Sequence, residues 1–344
     1  MERRRPRPAG PGGALRRGRA AAKLPPMARG RSSILSERRA ARLGPVLARF
    51  ADEFDAAPRL RLDPLEVPRR YRDPGDAEVA GLLAACLAYG RADLFKPRLE
   101  QVLAVMGPSP AAFAEAFAAA PAPQAFAGFR YRFNRPEDVA ALVAAAGFLR
   151  RRHGSLGDLL AGLYRQEAGS GAADPLRRAL GRFVSEIRTA PPVAPLLRRR
   201  GRRGLHHLCP DPRLPGACKR WNLYLRWMVR GPDGVDLGLW RGIPPAALVI
   251  PLDTHVLRVS RRLGLTGRRD ATWRTAEEIT GSLRRVDARD PVRFDFALCH
   301  LGMSGACPPR PDAERCQRCA LRPVCRSPAR AAGAQGARPS SAGG

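Results

Sequence analysis

One lysine stands out in the stretch GACKRWNLYLRWMVR, residues 216–230. The chain carries 61 Lys plus Arg, and only Lys23, Lys96 and Lys219 are lysines. Arginine stays protonated in proteins, whereas lysine can lose its proton and become a neutral amine. A neutral amine attacks electrophilic carbon and forms Schiff bases with carbonyl groups. Lys219 is therefore the first candidate for a nucleophile.

The residues after Lys219 predict a helix that this lysine opens. Trp221, Leu225 and Met228 recur at helical spacing and should face the core. In the first helical turn, the positive end of the helix dipole and the adjacent Arg220 should lower the pKa of Lys219. The alternative interpretation is a surface charge whose alkyl stem covers a neighbouring aromatic ring.

A carboxylate with a defined position occurs in IPLDTHVLRVSRRLGL, residues 250–265. Pro251 ends the preceding segment, and Asp253 stands where an N-cap belongs, ahead of an amphipathic helix with Val256, Val259 and Leu263 inward. Taken alone, this pattern predicts only a capping role for Asp253.

Four cysteines close the chain with the spacing C-x8-C-x2-C-x5-C, in a segment rich in proline and arginine. Thiolates at such spacing can surround a tetrahedral zinc ion or an iron–sulfur cluster, and the spacing does not choose between them. Cys299 lies in the apolar stretch FDFALCHLG and is expected in the core, with a substitute metal ligand as the alternative. The predicted metal ligands are Cys307, Cys316, Cys319 and Cys325.

The charge balance indicates a polyanionic partner. The formal net charge is +30, and neutralising phosphates releases counterions. No run of 18 apolar residues predicts a membrane span, and the basic N-terminus has no apolar core typical of a secretory signal. We therefore expect a cytoplasmic, nucleoid-associated protein with no membrane partner. Eight cysteines in that reducing setting favour metal binding over disulfides.

Hydrophobic periodicity predicts an all-α fold with few alternating strands. We expect a disordered basic tail over 1–31, a helical domain over 32–326 and a second disordered tail over 327–344. Within the domain, residues 205–265 should carry the hairpin and the catalytic groups, and 307–325 the cysteine loop.

Two further basic segments allow more than one interpretation. FRYRF, 129–133, predicts an extended connector with packed rings, and nucleic-acid contact is the alternative. The arginine run from Arg198 to Arg203 predicts either a solvated loop or a phosphate-binding strip. Residues 168–204 otherwise look loosely structured.

Three motifs in chain order resemble those of helix-hairpin-helix DNA glycosylases of the endonuclease III kind. LDTHVLRVSRRLGL resembles their segment with the catalytic aspartate, LPGACKRW is similar to their hairpin with the catalytic lysine, and the closing cysteines resemble their [4Fe–4S] loop. More widely, residues 60–325 look like an uncharacterised bacterial family related to these glycosylases.

The chain also departs from that pattern. Cys218 replaces the second hairpin glycine, and Lys219 falls one place early, with Arg220 at the family position. An extra loop over 236–250 lengthens the spacing from Lys219 to Asp253, which is similar to a trait of archaeal 8-oxoguanine glycosylases.

The resemblance implies two helical subdomains around a DNA cleft, with Asp253 and Lys219 catalytic and a [4Fe–4S] cluster, or alternatively Zn, on the four cysteines. It implies a monomeric base-excision repair glycosylase, with or without Schiff-base AP lyase activity. The substrate would be double-stranded DNA with a damaged base, such as an oxidised purine. The DNA-binding residues would be Gly216, Arg220, Arg226, His255, Arg258 and Trp240. The Trp240 ring is the best candidate for stacking on a base, and packing in the core, which is more usual for tryptophan, is the alternative.

Two other function classes remain open. One is a non-catalytic iron–sulfur or zinc nucleic-acid-binding protein on the same scaffold, which would lack a trappable amine. The other is a zinc-loop interaction module, which would be colourless. Covalent trapping and iron content discriminate these classes.

Overall fold

The computed structural model describes residues 35–198 and 201–326. Regular structure in these residues is helical, with two isolated β-bridges, so the all-α prediction is confirmed. The predicted tails, 1–31 and 327–344, lie outside the described residues, as do Arg199 and Arg200. The α-helices are α1 Glu37–Asp52, α2 Ala57–Leu60, α3 Pro74–Leu87, α4 Ala92–Met106, α5 Pro110–Phe117, α6 Pro136–His153, α7 Leu156–Gly169, α8 Pro175–Thr189, α9 Val193–Leu197, α10 Arg203–Leu208, α11 Lys219–Val229, α12 Thr254–Leu263, α13 Trp273–Arg284, α14 Asp295–Met303 and α15 Ala313–Gln317.

Helix α3 is the central element against which α11, the helix that begins at Lys219, packs. Asp73 caps it by accepting a hydrogen bond from the Asp76 backbone N–H, 2.9 Å away, and Pro74 occupies the first turn, where no N–H is needed. From Asp76 to Leu87 the helix is buried on all sides, with α11 and α5 among its neighbours. The start of α11 is therefore held by a rigid support.

Helices α10 and α11 are joined by the loop 209–218, which contains the predicted hairpin. Gly216 in this loop forms a β-bridge with Thr272. Cys218 adopts the left-handed conformation, with φ 48° and ψ 37°, directly before the helix begins at Lys219. This turn sets the direction in which the first side chain of α11 leaves the helix.

Helix α12 begins directly after Asp253 and packs against α14. Helix α1 also contacts α14 and the 3-10 helix Arg322–Val324, so the first and last described elements meet. The Arg326 N–H donates to the Arg262 carbonyl at 2.7 Å, which fastens the cysteine segment to α12. In 35–198 and 201–326, no helix combines the length and apolarity needed to cross a bilayer.

Candidate active site

Two predicted catalytic residues meet at the starts of two helices. Lys219 Nζ donates to Asp253 Oδ2 at 2.8 Å, although the residues are 34 positions apart. The other carboxylate oxygen, Oδ1, accepts from the backbone N–H groups of His255 and Val256, at 2.9 and 2.8 Å. Asp253 therefore caps α12 with one oxygen and pairs with the amine through the other.

The pair is accessible at one side. The Lys219 side chain is 34% exposed and the Asp253 side chain 15%. Burial raises the pKa of Asp253, but the charge and hydrogen bond of Lys219 outweigh it and hold the pKa below the usual value. Burial likewise lowers the pKa of Lys219, but Asp253 outweighs it and raises the pKa above the usual value.

The prediction of a lowered pKa for Lys219 was therefore wrong. The prediction considered the helix dipole and Arg220, whereas the carboxylate across the 2.8 Å contact favours the charged amine more strongly. The resting pair is an ammonium and a carboxylate.

Cys299 is a neighbour of this pair that the sequence pattern assigned to the core or, alternatively, to the metal site. It lies on α14, with Sγ 3.9 Å from Asp253 Oδ2, and it is partly buried. Burial and the nearby charges of Asp253 and Asp295 raise the pKa of its thiol, so the side chain is neutral at pH 7. Because α14 packs on α12, a residue in the middle of α14 can reach the start of α12, which the linear pattern does not reveal.

A cavity of about 570 Å³ opens beside Lys219. Its size is typical of small-molecule and nucleotide sites. Three cationic side chains line it against one carboxylate, that of Asp211, which lies 3.9 Å from Arg188. The rings of Tyr89 and His206 and the exposed tip of the hairpin loop complete the lining. The lining includes Tyr89, Arg188, Leu214, Gly216, Lys219 and Arg220.

Two of the predicted DNA contacts, Gly216 and Arg220, lie at this cavity. Gly216 is exposed, and a Cβ built on it would meet nothing within 4 Å. Arg220 donates to the carbonyl oxygens of Cys86, at 2.8 Å, and His207, and its guanidinium lies 5.3 Å from the centre of the Tyr89 ring. Both of these hydrogen-bond acceptors are neutral, so the hydrogen bonds orient the positive charge of Arg220 without cancelling it.

Two other predicted contacts are wrong. Arg226 is 2% exposed, because α11 is enclosed at this point, and its guanidinium pairs with Asp236 and Asp295. Trp240 is 5% exposed and donates from Nε1 to the buried Glu78 Oε1 at 2.8 Å. The extra loop folds inward at Trp240, so this ring packs in the core and presents no stacking face.

His255 and Arg258 connect α12 to the segment after α14. Arg258 donates from Nη2 to the Gly302 carbonyl at 2.9 Å and from Nε to the Cys307 carbonyl at 3.0 Å. The same guanidinium lies 3.2 Å from His255 Nδ1. Arg258 and His255 therefore hold backbone within the protein while staying partly exposed, and their DNA-binding role stays a prediction.

The four C-terminal cysteines surround one small cavity of about 30 Å³. Burial raises the pKa of Cys319, and the other three thiols raise it further. Arg262 Nη1 lies 2.9 Å from Cys307 Sγ. The donor set suits a thiolate-bound metal group. As the side chains stand, no group of three or more His, Cys, Asp or Glu residues in the described part is arranged around a single ion. The cavity is lined by Cys307, Cys316, Cys319, Cys325 and apolar side chains such as Val259 and Leu301.

Comparison with known families decides the assignment of the chain. One family model matches residues 63–304, and its description is "Protein of unknown function (DUF2400)". The chain belongs to this family. The matched DUF2400 region contains both Lys219 and Asp253 and ends before Cys307.

The assignment to relatives of the helix-hairpin-helix glycosylases is thereby corrected. The matching family is DUF2400, whose function is unknown, and the family scan gives no glycosylase family for this chain. No curated protein matches, and no solved structure matches. The short motifs around Lys219 and Asp253 do not establish kinship, so the function rests on the site geometry.

Proposed function

We propose that this protein is a base-excision DNA glycosylase with a Schiff-base lyase step, in which Lys219 is the nucleophile. The observation that carries the proposal is the 2.8 Å contact between Lys219 Nζ and Asp253 Oδ2 at the edge of a cationic cavity. Arginine would serve an ion pair equally well, but only lysine can become a neutral amine.

The ion pair offers a direct route to that amine. When DNA covers the site and excludes water, the charged pair loses solvation, and the proton can pass from Nζ to Asp253 Oδ2. The neutral amine then attacks C1′ of the sugar. A carbon–nitrogen bond forms while the bond to the base breaks, and the base leaves with that electron pair and takes up a proton.

The imine that a lyase step needs forms from the resulting aminal, and the lyase step itself then removes a proton from C2′ and breaks the C3′–O bond, with the 3′ phosphate as the leaving group. Nζ loses its remaining surplus proton, the sugar ring oxygen leaves C1′ and is protonated, and an imine joins Lys219 to the sugar. The Asp253 carboxylate, once ionised again, stabilises the positive charge of the protonated imine. Both residues therefore have a defined role, and the account needs no other nucleophile.

Charge supports DNA as the substrate. The chain has a net charge of +30, and Arg188, Lys219 and Arg220 line the cavity. We propose that the cavity belongs to a cleft between two helical parts, one carrying Tyr89 and Arg188 and the other α11 to α14. The protein would act as a monomer near the nucleoid on double-stranded DNA with a damaged base, including oxidised purines.

We also propose that Cys307, Cys316, Cys319 and Cys325 hold a [4Fe–4S] cluster, with zinc as the alternative. The support is the donor set and the shared cavity. The group would fasten the end of the chain to α12 and take no part in the reaction. Iron and sulfide content with visible absorbance indicates the cluster, whereas a colourless, zinc-containing protein indicates the alternative.

Borohydride trapping tests the proposed chemistry. Protein purified without oxygen is mixed with duplexes carrying an abasic site or 8-oxoguanine and then reduced. Lys219→Arg is the matched variant, because it keeps the charge opposite Asp253 and removes the nucleophile. We expect a covalent adduct with the natural protein and none with Lys219→Arg or Lys219→Ala. An adduct that survives in both variants contradicts the assignment of Lys219.

A second candidate function is a non-catalytic DNA-binding protein. The raised pKa of Lys219 favours it, because a permanently charged lysine suits an ion pair that fixes two helix starts. This candidate predicts tight binding of the same duplexes, no adduct with any variant and no release of a base.

A further inference from the structure

A tight turn near the cavity holds two residues at its tip. Tyr131 and Asn134 pair through two backbone hydrogen bonds, of 3.3 and 2.9 Å, which leaves Arg132 and Phe133 between them. Tyr89 holds both ends of the turn: its hydroxyl donates to Asn134 Oδ1, and its backbone carbonyl accepts from the Tyr131 hydroxyl. The base of the turn is therefore rigid.

Asn134 anchors the turn more deeply. Its side chain is fully buried, and Nδ2 donates to the Gly204 carbonyl at 3.0 Å at the start of α10. The turn is therefore tied to the helix that leads into the hairpin loop. The prediction that FRYRF, residues 129–133, is a connector with packed rings fits Phe129 and Tyr131, which are both buried. It does not fit Phe133, which is exposed.

The tip exposes an aromatic ring beside a positive charge. Phe133 is 47% exposed. The centre of its ring lies 4.3 Å from the centre of the His207 ring and 6.4 Å from that of the Tyr89 ring. Arg132 has φ 53°, a conformation that is uncommon for a residue with a side chain. Such local strain persists where the surrounding structure imposes it, and it is concentrated at functional sites.

The same residues connect the tip to the Lys219 cavity. Tyr89 lines that cavity, and the guanidinium groups of Arg132 and Arg220 lie 5.9 and 5.3 Å from the centre of its ring. Two positive charges thus lie near one aromatic ring, beside the exposed ring of Phe133. An aromatic ring for a base and guanidinium groups for phosphates are the two elements that bind unpaired nucleotides.

We propose that Phe133 and Arg132 bind an unpaired nucleotide of the DNA, with the base stacked on Phe133 and its phosphate at Arg132. This rests on the proposed function, which requires a base to leave the helical stack. It adds a preference for DNA with an unpaired nucleotide, set by a turn that contacts neither Lys219 nor Asp253.

Equilibrium binding of the full chain tests the proposal. Fluorescence anisotropy is measured with a fully paired duplex and with the same duplex carrying one unpaired 2-aminopurine nucleotide, whose fluorescence also reports stacking. We expect tighter binding of the second duplex with quenched fluorescence. Phe133→Ala should weaken that complex by about 10- to 100-fold and leave the paired duplex unchanged, and Phe133→Trp should restore binding.

Matched variants keep the test separate from folding and from catalysis. Arg132→Gly keeps the turn, because glycine adopts a φ of 53° without strain. It should lower the slope of log binding constant against log salt concentration by about 1, as expected for the loss of one phosphate contact. Leu94→Ala, another half-exposed apolar side chain, should change neither complex. Equal affinity of Phe133→Ala and the natural protein for the unpaired duplex overturns the proposal, and so does equal weakening of both complexes. Because binding is the readout, failure of the Lys219 chemistry appears only in borohydride trapping.

Discussion

Helix α11 carries two sets of ion pairs that differ in their access to solvent and in the kind of cation they contain. Lys219, at its start, pairs with Asp253 at the edge of an open cavity. Arg226, two turns later, pairs with Asp236 and Asp295, and all three side chains are nearly inaccessible. The open pair has the one cation that can give up its proton, whereas the closed set has a cation that cannot.

The comparison separates chemistry from stability. A buried charge that loses its partner is costly, so the closed set fixes the positions of α11, α14 and the extra loop. The open pair can be disturbed by a ligand without unfolding the protein. The four predictions below test this division, from the largest expected effect to the smallest.

Arg226→Ala should cause the largest loss of stability, about 3–5 kcal/mol in the free energy of unfolding. It leaves Asp295 buried without its paired guanidinium and removes one of the two guanidinium groups, those of Arg226 and Arg230, that pair with Asp236. Urea denaturation followed by circular dichroism measures it. A loss below about 1 kcal/mol would mean that the closed set does not hold the helices together.

Asp253→Asn should reduce the yield of trapped adduct per unit time by about 10²- to 10³-fold, because the carboxylate that accepts the proton is removed. Asparagine caps helices as well as aspartate does, so the cap of α12 should be kept. Asp253→Ala is the matched variant, and it should lose about 1 kcal/mol more stability than Asp253→Asn. If Asp253→Asn reacts at the natural rate, Asp253 only caps the helix.

Stability should respond to pH through Asp295. Burial raises the pKa of this carboxyl to about 6 in spite of Arg226, which also faces Asp236. The unfolded value is about 3.9, so between these values the folded protein binds the extra proton and gains stability as the pH falls. Relative to Asp295→Asn, the free energy of unfolding of the natural protein should rise by up to about 1.4 kcal/mol for each pH unit that the pH falls between 6 and 4. A constant difference from pH 7 to 4 would show that Asp295 stays ionised.

Arg49→Ala should have the smallest effect, at most about 0.5 kcal/mol. Its ion pair with Glu53 lies on the outside of α1, with both side chains more than half exposed. Urea denaturation beside Arg226→Ala gives the comparison directly. A similar loss in the two variants would mean that burial does not distinguish the ion pairs of this protein.

The sequence pattern sufficed where local rules decide the structure. Asp253 was placed at an N-cap and Trp221, Leu225 and Met228 in the core, and the structure has them there. Helix α8 was missed, because arginines between Leu176, Phe183 and Ile187 made 168–204 look loose. The apolar residues of α8 do recur at helical spacing, so the signal was present.

The failures concern contacts between distant segments. Arg226 and Trp240 looked like surface groups, because nothing in the chain shows that Asp295 and Glu78 approach them. Cys299 beside Asp253 and the exposed Phe133 tip depend in the same way on which helices meet. Three short motifs also suggested a family to which the chain does not belong.

Locating the trapped adduct by mass spectrometry is the most direct test of the central claim. The chain has three lysines, so digestion of the borohydride-reduced complex separates the candidates without ambiguity. The account predicts the sugar remnant on Lys219. A remnant on Lys23, on Lys96 or on the N-terminal amine would contradict it.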